Sequence, residues 1–177
     1  MVDGSREAIL QPLPEKGGVT PINIPNEILT AAKDAMFRFG ECSPTLFVHG
    51  TKGKRYMYLP MCESLTERVS IMTQAGKQMG QAGEIGEVEQ VIYVCEGWSS
   101  PARSPFIRPS LDPNRSEVLV LSALDAKTNT QTLEMYACVR DTKQAVIDLK
   151  RVPLPEDTPV ESPLMPAFLA GYRQFYR

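Results

Sequence analysis

The stretch from Val88 to Arg151 constrains this chain most, because it reads as four strands with one outsized connection between the first two. Val91-Ile92-Tyr93-Val94-Cys95 and Val118-Leu119-Val120-Leu121 are unbroken apolar runs, the pattern of strands covered on both faces. The expected strands run from Glu87 to about Trp98, Glu117 to Leu124, Thr130 to Arg140 and Ala145 to Arg151. The links Asp125–Asn129 and Asp141–Gln144 are short enough for antiparallel neighbours. Period-2 alternation separates Leu133, Met135, Ala137 and Val139 from the face carrying Glu134 and Arg140. Ser99 to Ser116 forms the long connection, with prolines at 101, 105, 109 and 113 and arginines at 103, 108 and 115. A connection of that length without elements of its own is usually functional or disordered, so it is the first place to look for a site.

Upstream, Ile28, Leu29, Ala32, Met36 and Phe39 recur on one helical face between Pro25-Asn26 and Gly40. Two β-rich segments, Pro44–His49 and Lys54–Leu59, flank Gly50-Thr51-Lys52-Gly53 and predict a hairpin. Ser64-Leu65-Thr66-Glu67 is a capping box opening a second helix, whose apolar face is Leu65, Val69, Met72 and Met79. That helix is expected to reach about Gly80, with Gly76 loosening its last turn. Five prolines from 153 to 166 mark an extended connector, and Met165, Phe168, Leu169, Tyr172, Phe175 and Tyr176 share one face of a short closing helix.

The expected fold class is therefore α+β: an antiparallel sheet of five or six strands, two long helices and a short C-terminal helix, in the order α-β-β-α-β-β-β-β-α. Residues 1–24 are an extended N-terminal arm, 25–151 a single domain, and 152–177 the connector and closing helix. Ile28, Phe39, Leu65, Met72, Val91, Val94, Leu119 and Leu121 are expected in the core. In element order the chain resembles the profilin-like and roadblock-type folds, which implies an antiparallel sheet sandwiched by helices and carries no activity with it.

A chain of 177 residues buries a substantial core without metals or disulfides. Its net charge of -2 gives no basic field, so nucleic acid is not indicated as a partner. Cys42, Cys62, Cys95 and Cys138 show no CxxC and no zinc spacing, and neither a metal nor a cofactor is expected. The N-terminal residues lack the apolar core of a signal peptide and no apolar run has the length of a membrane span, so a reducing cytoplasm is the natural location.

Candidate chemistry is sparse. His49 is the only histidine and ends a strand beside a Gly-containing turn, with no nucleophile motif to serve. Gly50–Arg55 lacks the spacing and the following helix of a phosphate loop, and reads as a solvated hairpin tip. Asp148-Leu149-Lys150 has the acidic-x-Lys form of metal-dependent nucleases, but Asp125-Ala126-Lys127 and Asp141-Thr142-Lys143 repeat it in turns, where it is decoration. Trp98 at a strand end is expected to lid the core; alternatively it anchors a partner together with Arg103, Phe106, Ile107 and Arg108 of the loop. The sequence thus points to a non-catalytic binding or scaffold module acting through a protein partner or self-association as a homo-oligomer. Its rival is a small hydrolase or nuclease-like enzyme assembling His49, Glu96, Asp148 and Lys150 in space.

Overall fold

The computed structural model describes residues 22–62, 64–100, 111–154, 160 and 162–176. The element order matches the expectation: α1 (Asn26–Phe39), β1 (Thr45–Gly50), β2 (Gly53–Tyr58), α2 (Leu65–Ala82), β3 (Val88–Ser99), β4 (Ser116–Asp125), β5 (Gln131–Arg140), β6 (Val146–Arg151) and α3 (Leu164–Phe175). The strands form one six-stranded sheet, ordered β2-β1-β3-β4-β5-β6, with every pair antiparallel. Short links explain β4 to β6, since antiparallel neighbours need only a turn between them, whereas β3 and β4 are joined by the long connection. β1 pairs with β3 because α2 returns the chain over the sheet to the hairpin's inner edge.

Alternation along the strands sends side chains to two separate cores. Leu46 and Val48 of β1, Val91 and Tyr93 of β3 and Leu124 of β4 face α2 and α3, which add Met72, Met79, Met165, Phe168 and Tyr172. Ile92, Val94, Leu119, Leu121, Ala123 and Tyr136 face the other way, under Ile28, Ala32 and Met36 of α1. Helices therefore cover both faces, as the fold resemblance implied.

α2 departs from expectation in an instructive way. Gly76 does not loosen the helix, which continues to Ala82 and ends on Gly83 in the left-handed region. Gly76 and Gly80 are buried because α3 lies directly on them: a Cβ on Gly76 would overlap the Phe168 carbonyl oxygen, and one on Gly171 would overlap that of Thr73. Their lost helix propensity, about 1 kcal/mol each, is offset by backbone-to-backbone approach of two helices. The Tyr172 hydroxyl then donates to the Gly86 carbonyl at 2.6 Å, tying α3 to the loop after α2.

Two residues expected in the core are outside it. Leu65 is the first residue of α2 and is exposed, and Phe39, in the last turn of α1, is 76% exposed. α1 stops there because Gly40 takes a left-handed φ of 74°, with its N–H donating to the Met36 carbonyl. Arg140 fixes that end: one guanidinium nitrogen donates to the Gly40 carbonyl at 2.8 Å, and another donates to Glu117 at 2.7 Å.

Candidate functional site

Among the described residues, α1 lies across β3 to β6 and leaves the β1–β2 side largely uncovered on its face of the sheet. Its buried row is Ile28, Ala32 and Met36. The next row, Ala31, Ala35 and Phe39, follows the same four-residue spacing along its flank and lines an open groove. Small alanines keep that flank low. On the strands, register places Thr45 opposite Tyr58, Phe47 opposite Tyr56 and His49 opposite Lys54. Direct cross-strand pairing brings the Phe47 and Tyr56 rings to 6.1 Å, while Tyr56 and Tyr58, two residues apart on one face, meet edge to face at 5.8 Å and 81°.

The groove has two lobes that share Ala31, Phe47 and Tyr56. The larger, of about 410 Å³, is lined by Phe39, Phe47, Tyr56, Tyr58 and the alanines, with Cys42, Thr45 and Val94 in its floor and Glu41 and Ser43 at one end. The smaller, of about 200 Å³, adds Glu27, His49, Lys54 and Arg55. Tyr56 and Tyr58 are 62% and 68% exposed, so with Phe39 three large rings in one concavity are left to solvent. Contiguous exposed aromatic surface of this kind marks a contact site, whereas single exposed apolar residues need no explanation.

Burial shifts several titratable groups nearby. Burial, then the Lys54 charge, holds the His49 pKa below the usual histidine value, with Glu27 and a Gln90 hydrogen bond opposing. The Lys54–Glu27 ion pair spans the small lobe at 3.5 Å with both side chains well exposed, so it contributes little to stability. Burial, followed by the Glu96 charge, pushes the Cys42 thiol up to about 11, and burial with Glu117 pushes Cys138 to about 11. Neither is a thiolate nucleophile near neutral pH. Glu96 accepts a hydrogen bond from the Cys42 N–H, and burial, opposed by that bond, raises its pKa with help from the charges of Glu117 and Glu41.

The four residues proposed for an enzyme site are not brought together. His49 and Glu96 are on β1 and β3, while Asp148 and Lys150 are exposed on β6, the opposite sheet edge. Four inter-strand spacings, about 19 Å, separate β1 from β6. Asp148 and Lys150 also pair with Val139 and Ala137, on the face turned away from α1, and the Asp148 carboxylate is engaged by the N–H of Leu149. Among the described residues, no three of His, Cys, Asp and Glu are arranged to hold a metal ion.

Trp98 does not lid the core. It is 47% exposed at the end of β3, and the Arg115 guanidinium stacks over its ring at 4.7 Å. Arg103, Phe106, Ile107 and Arg108, its proposed companions, lie outside the described residues. The sequence does not mark the groove residues Glu41, Phe47, Tyr56 and Tyr58 as site residues, and it assigns Phe39 to the core. The signal available was the alternation Lys54, Tyr56, Tyr58, which places two tyrosines on one face of a strand with no apolar alternative beneath them.

No protein-family model, no curated protein and no solved structure matches the chain. No helix among the described residues is long and apolar enough to cross a membrane.

Proposed function

We propose that the protein is a non-catalytic recognition module that takes an extended partner segment along β2, with the segment's side chains entering the groove beside α1. The observation that carries this reading is the coincidence of a sheet edge and exposed aromatic rings on one strand: among the described residues β2 is the terminal strand, and Tyr56 and Tyr58 line the groove beside it. An added strand draws affinity from main-chain hydrogen bonds and specificity from pockets for alternate side chains. Lys54 and Arg55 on the same short strand limit indiscriminate edge pairing, since charged side chains discourage sheet-to-sheet aggregation.

The enzyme alternative draws no support from the geometry, because its acids, histidine and lysine are dispersed over both faces and over β1, β3 and β6. The test is affinity capture of the tagged chain from its own cells, beside a Tyr56→Ser/Tyr58→Ser double variant, with light scattering to record self-association. Both tyrosines are exposed, so the variant keeps its thermal midpoint, and the partner, or the second copy, is lost. Retention of every interaction by the folded variant would remove the groove from consideration.

A further inference from the structure

Resting on that recognition reading, we propose that the larger lobe is a receptor for an alkylated ammonium: the trimethylammonium head of a small molecule or of a methylated lysine side chain. It sits among Phe39, Phe47, Tyr56 and Tyr58, with Glu41 as its counter-charge. The ring arrangement is the first support. Tyr56 and Tyr58 stand nearly perpendicular, and Phe47 is tilted 35° from Tyr56, so the rings curve around a concavity. Ring faces carry negative electrostatic potential and attract a cation that has shed its water.

Charge is the second support, and it separates this ligand from a plain hydrocarbon. Among the described residues, Glu41 is the only charged one lining the larger lobe. No cation pairs with it among the described residues. Glu96 adds a second carboxylate bonded to the Cys42 N–H, while Arg140, whose charge acts on Glu96, is engaged by Glu117. In the smaller lobe Lys54 is matched by Glu27, and Arg55 by Glu84 at 2.9 Å, so those cations do not cancel the field of Glu41.

Hydrogen-bonding capacity is the third. An unmodified ammonium brings three donors that all need acceptors, for which the lobe offers the Glu41 carboxylate and the hydroxyls of Ser43, Thr45, Tyr56 and Tyr58, set among rings and alanines that offer none. An alkylated ammonium brings none, and its methyl groups pack on Ala31, Ala35 and the rings. About 410 Å³ is ample for such a head group with part of its chain.

The experiment titrates the intact chain with choline, with its neutral carbon isostere 3,3-dimethylbutanol, and with a short peptide carrying either trimethyl-lysine or lysine, following tyrosine ring resonances. Choline or the trimethylated peptide is expected to bind about tenfold more tightly than its uncharged or unmodified counterpart. The stronger of the two identifies the source of the head group. Tyr58→Leu, which keeps apolar area but removes the ring, should lose about tenfold, and Glu41→Gln should weaken binding severalfold and flatten its salt dependence. An isostere that binds as tightly as choline would overturn the ammonium assignment and leave the groove as an apolar docking surface. Absence of binding by all four probes would overturn it as well, and the capture experiment would then decide the recognition reading by itself.

Discussion

The two faces of the sheet solve the same covering problem differently. On one, α2 and α3 press together backbone to backbone at Gly76, Gly80 and Gly171, and the side chains around them, Phe168, Met165 and Tyr172, are fully buried. On the other, α1 is the one helix among the described residues over β3 to β6, and the β1–β2 hairpin beside it faces a groove with small residues on the helix flank and large rings on the strands. Small residues serve closure on the first face and access on the second. Whether an opposing backbone lies above them decides which.

The sharpest way to break that contrast is one kind of substitution made on both faces. Gly171→Leu should prevent α3 from docking and abolish cooperative unfolding, because a Cβ there already overlaps the backbone of α2. Ala31→Leu, on the exposed flank of α1, should leave the urea midpoint nearly unchanged, within about 0.5 kcal/mol, while filling the groove and removing binding. Equal losses of stability from the two would show that the groove is part of the core.

Next in size are deletions beneath each helix layer. Phe168→Ala should cost about 3–5 kcal/mol and Leu119→Ala about 2–5 kcal/mol, read from denaturant unfolding, since both side chains are fully buried. Arg140→Met should cost less, about 1–3 kcal/mol, by leaving Glu117 and the Gly40 carbonyl without their donor at a site that still reaches solvent.

A smaller effect is read by pH on the α1 side, where two groups have opposite signs. Glu96 has a raised pKa in the folded state, so its charge opposes folding at neutral pH, and stability is gained as pH falls and it takes up a proton. His49 has a lowered pKa, so the folded state prefers it neutral, and stability is lost as pH falls through the ordinary histidine range near about 6.5. Glu96→Gln should therefore raise the thermal midpoint at pH 7 and remove the gain on acidification. His49→Gln should remove the loss. Unchanged pH profiles in both variants would disprove these assignments.

Periodicity located nearly every element to within a residue or two, because amphipathic patterns are local properties of the chain. What sequence patterns do not carry is the lateral placement of one layer on another. The α1 pattern groups Phe39 with Ile28 and Met36, yet only the position of the helix over β3 to β6 leaves Phe39 beyond the sheet it would cover. Gly76 reads as a weak point until α3, distant in sequence, is laid on it. Trp98 reads as a core residue because it follows a buried run, but β3 outlasts the helices above it. The groove was illegible for the same reason: Tyr56 and Tyr58 line it because no described element lies over them.

The bond from Tyr172 to Gly86 spans 86 residues of chain, and it closes the layer that the glycines of α2 hold open. During synthesis, α2 emerges with bare backbone where its neighbour belongs, while β3 to β6 are still to be made. Met72 and Met79 then have no roof until the ribosome has passed Tyr172. The nascent chain spends that interval with half of its interior facing water, at rates of about 5–20 residues per second, and chaperone demand should fall once α3 is released.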